Sequence, residues 1–264
     1  TFYEEFENSG WGCWTVTDNT GEGNWKLGTT STVNYTPGLT GNYAYFKCQY
    51  GSAHNYSADL ISPAFNLSGY RNADLQFTHL FDGSSYYPSS GTVFYSIDNG
   101  TTWVQIAQYT TDEVDETVSL SVSAAARQPQ VKFKWSYTCS PTGAYMWAVD
   151  DIRVVDNSVL WTGNLDTDWF KAGNWSNSAI PTSAASVVIP TGVPNQPQIN
   201  ASGAVCRSIT IESGATLTMN GSTAYILSVS GDWTNNGTFT SGIGTVNFVG
   251  TNALQTIKGS STTN

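Results

Sequence analysis

Residues 131–139 read VKFKWSYTC, and their side chains alternate without a break. Val131, Phe133, Trp135, Tyr137 and Cys139 fall on one phase, Lys132, Lys134, Ser136 and Thr138 on the other. A period of two is the pattern of a strand with one face in a core. NYAYFKCQY (42–50) repeats it, with Ala44, Phe46 and Cys48 in phase. Strand-like segments also occupy 73–81, 92–97, 103–108, 117–122 and 144–155, with turn residues between them. Short strands at this spacing predict a β-sandwich or jelly roll over residues 1–156. Only SAAARQP (123–129) hints at a helical turn.

Composition agrees with an all-β protein. Charged residues are 11 % of the 264, and aromatics are 13 %. The solvent faces are built from Thr and Ser, which suit strands, and no long Glu/Lys/Ala run offers a helix. The net charge of −10 comes without a basic patch, which excludes nucleic-acid binding. No apolar run is long enough for a membrane span, so no membrane insertion is expected. Residues 1–158 hold 16 acidic and 7 basic side chains, residues 159–264 only 4 and 3. That shift divides the chain into two domains, 1–156 and 157–264. Among the four cysteines there is no CxxC, which removes zinc ribbons and thioredoxin-like chemistry. Cys48 and Cys139 both face inward by alternation, so they form either a disulfide or two buried thiols.

The second domain has a different texture. WTGNLDTDWFKAGNWSN opens it, and a proline-rich loop follows. From Val205 apolar pairs recur as Ile209/Ile211, Leu217/Met219, Leu227/Val229, Val246/Phe248 and then Ile257, with Gly or Asn at each corner. Rungs of a parallel β-solenoid need this pattern; an antiparallel sandwich with short hairpins is the alternative. The solenoid reading puts Ile209, Ile211, Leu217, Leu227, Val229 and Phe248 inside stacked rungs over 208–259. A last rung exposes an apolar face and an open edge, so the chain is expected to be a fragment whose repeat continues or is capped.

Two motifs in the first domain stand out. Ser96-Ile97-Asp98-Asn99-Gly100-Thr101-Thr102-Trp103 matches the Asp-box pattern. Asp98 is expected to accept backbone N–H groups across the turn, Gly100 to take a positive φ, and Trp103 to pack under the loop. One copy does not make a sialidase, which also needs an arginine cluster; Arg71, Arg127 and Arg153 are the candidates here. In WAVDDIRV (147–154), alternation groups Ala148, Asp150, Ile152 and Val154, which places a carboxylate on the apolar phase. A buried carboxylate needs a cation or several N–H donors. Ca²⁺ with oxygen ligands is one solution, and the acidic start (Glu4, Glu5, Glu7) could add a second carboxylate if the first and last strands pair. Bonding to backbone amides is the other solution. HExxH, GxSxG and P-loop patterns are missing. His79 alternates with Leu75, Phe77 and Phe81 and reads as a core residue. Tyr86, Tyr87, Tyr145 and Trp147 are the exposed-looking aromatics that could stack on a sugar.

The succession Phe6-Glu7, Gly10-Trp11, Asp59-Leu60-Ile61-Ser62-Pro63, SIDNGTTW and WAVDDIRV resembles MAM-like jelly rolls, in particular the cleaved adhesin domain of secreted Bacteroidetes surface proteins. The resemblance covers about residues 1–156. It implies a jelly-roll sandwich with structural calcium, whose ligands carry over to Glu7, Asp150 and Asp151. The eukaryotic MAM cysteine pattern is not followed, so no disulfide assignment transfers. Residues 159–264 resemble, in texture and order, the repeat-rich stalks of large type IX secretion cargoes. These resemblances imply a non-catalytic adhesion or display segment outside the cell, at its surface, with glycans or other surface proteins as partners. The alternatives are a carbohydrate-binding module of a secreted hydrolase, or a fragment with hydrolase activity of its own.

Overall fold

The alternation at 131–139 becomes the central strand of a five-stranded antiparallel sheet. The computed structural model describes residues 2–7, 10–21, 23–29, 39, 41–49, 55–83, 88–140, 145–250 and 255–260. The chain divides into two compact units, Thr1–Asp156 and Asn157–Asn264.

Eleven strands form the first unit: β1 Phe2–Glu4, β2 Thr15–Asp18, β3 Lys26–Thr29, β4 Asn42–Lys47, β5 Tyr56–Ile61, β6 Asp74–Asp82, β7 Ser89–Ser96, β8 Val104–Tyr109, β9 Glu113–Ser121, β10 Lys132–Cys139 and β11 Met146–Val155. One sheet runs β3-β4-β11-β6-β9, with β1 also on β11; the other runs β2-β5-β10-β7-β8. The SAAARQP stretch contains a single 3-10 turn, Ser123–Ala125.

Aromatic rings fill the space between the sheets. Trp135 of β10 meets Phe77 of β6 at 5.5 Å between centroids, and Tyr137 meets Phe46 of β4 at 5.5 Å. Each such side chain contributes about 1.5–3 kcal/mol by leaving water. Cys48 and Cys139 are joined as a disulfide, with Cα atoms 6.6 Å apart. His79 is fully buried among Phe77, Tyr109 and Trp147. Its Nδ1 accepts the Trp147 indole N–H at 3.2 Å, which assigns its proton to Nε2, and burial pushes its pKa down to about 4. The first sheet is also covered on its outer side, where Leu39, Tyr43, Leu80, Met146 and Ala148 make a second, smaller cluster.

The second unit is a three-sided parallel coil. Its strands are β12 Ser158–Leu160, β13 Ser186–Ile189, β14 Gln198–Ile199, β15 Ala204–Cys206, β16 Ser208–Ile211, β17 Thr216–Met219, β18 Ile226–Val229, β19 Trp233–Asn235, β20 Thr238–Thr240, β21 Thr245–Phe248 and β22 Ile257–Lys258. The three sheets are β12-β13-β16-β19-β22, β14-β17-β20 and β15-β18-β21, and every pairing is parallel. Register stacks Val187 on Ile209, Ile209 on Trp233 and Trp233 on Ile257. Ile209, Ile211, Leu217, Leu227 and Val229 are buried as the rung pattern requires.

Phe248 departs from expectation, being 37 % exposed. It lies on β21, the last strand of its sheet among the described residues, where an inward position has a strand neighbour on one side only. Ile257, on β22, is 64 % exposed for the same reason.

The opening motif of this unit is a plug. Trp175 stands edge-on to Trp161 (4.9 Å) and to Trp169 (4.7 Å), and all three are buried. The indole N–H of Trp161 donates to Asn195 O, and that of Trp175 to Trp169 O. Buried Asn174 ties the loop together: Oδ1 accepts from Leu165 N and Asp166 N, while Nδ2 donates to Asp166 Oδ1 and Asp168 O.

Candidate functional site

Strand β11 has two partners on one edge. β4 pairs with Met146–Val149, and β1 pairs with Ile152–Val154. Between them lies a bulge, at which the register with β6 shifts between Asp150 and Arg153 and Asp151 takes φ 52°. A bulge reverses the phase of a strand. Trp147 and Val149 therefore face the inter-sheet core before it, and Ile152 and Val154 after it. The expected grouping of Ala148, Asp150, Ile152 and Val154 on one face is corrected: Ala148 and Asp150 lie on the outer side, beside Tyr43 and Leu80.

Asp150 is 2 % exposed, and its Oδ1 has no hydrogen-bond partner. Burial pushes its pKa up to about 8, and the charges of Asp151, Glu7 and Glu5 add to the rise; the Asp151 N–H opposes it. The surrounding acids are partly engaged already. Asp151 accepts from the Tyr3 hydroxyl at 2.6 Å and the Thr78 hydroxyl at 3.3 Å. Glu7 accepts from Asn42 N at 2.9 Å and Asn42 Nδ2 at 3.3 Å. Gly41, at φ 68°, makes room for that contact, because a Cβ there would collide with the Glu7 carboxylate. Glu4 accepts from Phe6 N and the Trp14 indole. Among the described residues no group of three or more His, Cys, Asp or Glu side chains is gathered so as to hold a metal ion. The arrangement fits a hard cation at one point, the unbonded Asp150 oxygen.

Tyr3, Thr78, Asn42 and Tyr43 belong to this junction and were not singled out from sequence. The signal for Thr78 was its phase opposite His79 on β6. No local pattern marks Asn42.

The Asp-box hairpin joins β7 to β8. Asp98 Oδ1 accepts from Thr101 N, Thr102 N and the Ser96 hydroxyl, and Oδ2 from the Thr102 hydroxyl. These bonds, those from Ser96 and Thr102 foremost, lower its pKa to about 2. Gly100 has φ 93° and sits on the Trp103 ring. The same ring faces Lys134 Nζ at 4.8 Å, and Phe94 faces it at 4.7 Å.

The aromatic candidates separate. Tyr86 and Tyr87 lie outside the described residues. Tyr145 is half-buried. Trp147 is corrected from an exposed stacking residue to a core one, buried against Trp25, Phe81 and Tyr137. The start of β11 is covered on both faces, which erases the alternation that would have shown it.

Residues 69–155 match the family described as Reelin subrepeat B, and residues 160–255 match a domain of unknown function, DUF8693. No curated protein matches the sequence. Among solved structures, the K1 cleaved adhesin domain of Lys-gingipain from Porphyromonas gingivalis W83 is similar at 15 % identity and TM-score 0.45, over 59 % of this chain and 98 % of that one. The carbohydrate-binding module TmCBM61, solved with β-1,4-galactotriose, is similar at 13 % identity and TM-score 0.39, over 58 % and 94 %. A family 11 carbohydrate-binding module from Clostridium thermocellum, solved with a β-1,3-1,4-mixed-linked tetrasaccharide, is similar at 15 % identity and TM-score 0.34, over 59 % and 96 %. The two units thus resemble two separate described families, each over less than half of the chain.

Proposed function

We propose that this chain is an adhesion or display segment of a secreted cell-surface protein, with no catalysis of its own. The observation that supports this most is the coil of the second unit. Its inward positions are a stack of apolar side chains, and its outward positions on β17 and β20 are threonines, Thr216 and Thr218 beside Thr238 and Thr240. Stacked rungs give a stiff spacer without chemistry. In the first unit His79 is buried and Asp98 is held in a turn by hydrogen bonds. The test has two arms. The purified chain should not turn over polysaccharide or peptide substrates, and antibodies against it should label intact producing cells. Turnover abolished by one carboxylate substitution would overturn the non-catalytic reading, and label found only after lysis would overturn the surface one.

Calcium belongs to the same proposal. Asp150, with Glu7 and Asp151, would hold Ca²⁺ at the β1–β11–β4 junction, and carbonyl and water oxygens would complete its shell. The ion would neutralise a buried carboxylate and fasten the first strand to the last. Chelation should lower the melting temperature of the first unit, and Asp150→Asn should remove that difference. Unchanged melting on chelation would sink the site.

A further inference from the structure

We infer that Asn220, at the corner between β17 and β18, converts itself to aspartate and isoaspartate through a cyclic imide closed by its neighbour Gly221.

The sequence contains three Asn-Gly pairs, at 99–100, 220–221 and 236–237. In such a pair the main-chain nitrogen of the glycine reaches the asparagine side chain easily, because no Cβ stands in the way. The reaction needs a glycine N–H that can lose its proton to hydroxide, and an asparagine amide carbon beside it. All three pairs have the right residues, and hydrogen bonding separates them.

At 99–100 the nitrogen is engaged. Gly100 N donates to the Ser96 hydroxyl at 2.8 Å, and Asn99 is held at φ 59°. At 236–237 it is engaged as well: Gly237 is buried, and its N donates to Asn235 Oδ1 at 3.2 Å. At 220–221 it is free. Gly221 is exposed, and among the described residues its N–H has no hydrogen-bond partner.

The same corner prepares the carbonyl. Asn220 Oδ1 accepts from Ser222 N at 3.2 Å and from the Ser222 hydroxyl at 2.9 Å. Bonding to the N–H two residues on folds a side-chain amide over the peptide between, here that of Gly221. Two donors then sit on the oxygen that becomes negative as the nitrogen adds to Cγ. Asn236 Oδ1 also has two donors, Ser260 N at 3.2 Å and the Ser260 hydroxyl at 3.4 Å, but no free nitrogen beside it. Of the three pairs, 220–221 alone combines a free nucleophile with a polarised carbonyl.

The chemistry balances with water as its one reactant. Hydroxide removes the Gly221 amide proton, the nitrogen bonds to Asn220 Cγ, the Cγ–Nδ2 bond breaks, and ammonia leaves with a proton from water. Water then opens the ring. Opening at Cγ gives aspartate, and opening at the main-chain carbonyl gives isoaspartate, in which the chain runs through the side chain and gains a methylene. Either product adds a carboxylate to a corner that is tied to the preceding coil by Asn220 N on Ile199 O.

Incubation of the full chain at mildly alkaline pH, followed by digestion at low pH and mass spectrometry, tests this. The peptide holding Asn220 should gain about one mass unit and split into two chromatographic forms, while those holding Asn99 and Asn236 stay unchanged. In guanidinium, which removes the folded hydrogen bonds, all three should convert at similar rates. Ser222→Ala should slow the conversion of Asn220 several-fold in the folded chain and leave the unfolded rate nearly unchanged. Gly221→Ala should slow it in both, and the added Cβ would meet nothing within 4 Å, so the fold accepts it. Circular dichroism checks each variant. Conversion of Asn99 or Asn236 as fast as that of Asn220 in the folded chain would overturn the inference. So would an intact Asn220 under conditions in which the unfolded chain converts. An unchanged rate in folded Ser222→Ala would overturn the role of its two donors.

Discussion

The buried carboxylate of Asp150 should make the calcium-free protein less stable as pH rises. Folded Asp150 holds its proton up to about pH 8, whereas an unperturbed aspartate loses it near 3.8. Between those values the unfolded state binds fewer protons, so stability falls with rising pH and levels off above 8. Over the whole interval the cost is on the order of 5 kcal/mol. His79 has the opposite sign. It stays neutral in the fold down to about pH 4, while its ordinary value is 6.5. Its contribution is complete above 6.5 and is lost as pH falls towards 4. Above pH 6.5 the histidine is silent, and Asp150 should remove about 2 kcal/mol between pH 6.5 and 8. Guanidinium denaturation in EDTA, followed by tryptophan fluorescence of the first unit, measures this. Asp150→Asn has nearly the same shape and no charge, so it should flatten the slope and be the more stable protein at pH 8. Wild-type stability that is level or rising from pH 6.5 to 8, or an Asn variant less stable than wild type at pH 8, would refute the reasoning.

Three further outcomes follow from packing and bonding. Leu217→Ala, at a fully buried coil position, should destabilise the second unit by about 2–5 kcal/mol, whereas exposed Phe248→Ala should cost far less; denaturation of each variant separates them. Reduction of Cys48–Cys139, a bridge across 91 residues, should destabilise the first unit by about 4.6 kcal/mol on the chain-entropy account, read as a shift of its denaturation midpoint under reducing conditions. Asp98→Ala should lower the melting temperature of the first unit at neutral pH. Because its carboxyl sits near pKa 2, wild type should keep this advantage until the pH falls below the ordinary aspartate range, and melting curves from pH 7 to 2 check it.

Much of the fold was legible because its periods are plain. Alternation at 131–139 and 42–50 gives β10 and β4, and the Gly/Asn corners between apolar pairs give the coil. The failures have local causes. At 147–154 apolar residues occur at Trp147 and Val149 on one phase and at Ile152 and Val154 on the other. Only a bulge reconciles them, yet binary pattern alone suggests one unbroken phase. Trp147 was misplaced because β11 is buried on both faces there. Phe248 has the sequence of a rung residue and the environment of an end. The Trp161–Trp169–Trp175 plug was visible as three tryptophans in one short motif, but spacing in an irregular loop does not say that they converge. The junction at Asp150 was legible in its two acids and not in Tyr3, Thr78 or Asn42, which arrive from three other strands by register.

The bulge also explains why an aspartate can persist at so costly a place. Without it Asp150 would follow Ala148 along the outer face and Asp151 would enter the aromatic core. With it, both carboxylates stay at the junction where β1, β4 and β6 meet β11. A bound cation stabilises by RT ln(1 + [L]/Kd), which reaches about 4 kcal/mol only when the ion is ~1,000-fold above Kd. Extracellular modules that bind calcium with Kd of about 10⁻⁴–10⁻³ M gain little more than ~1 kcal/mol in millimolar calcium. To offset most of the Asp150 cost at pH 8, the proposed site must bind in the micromolar range or tighter. A weaker site would leave the aspartate protonated near neutrality, and its proton would do the work assigned to the ion. The apparent Kd at pH 8 against that at pH 6.5 therefore decides which of the two neutralises the junction.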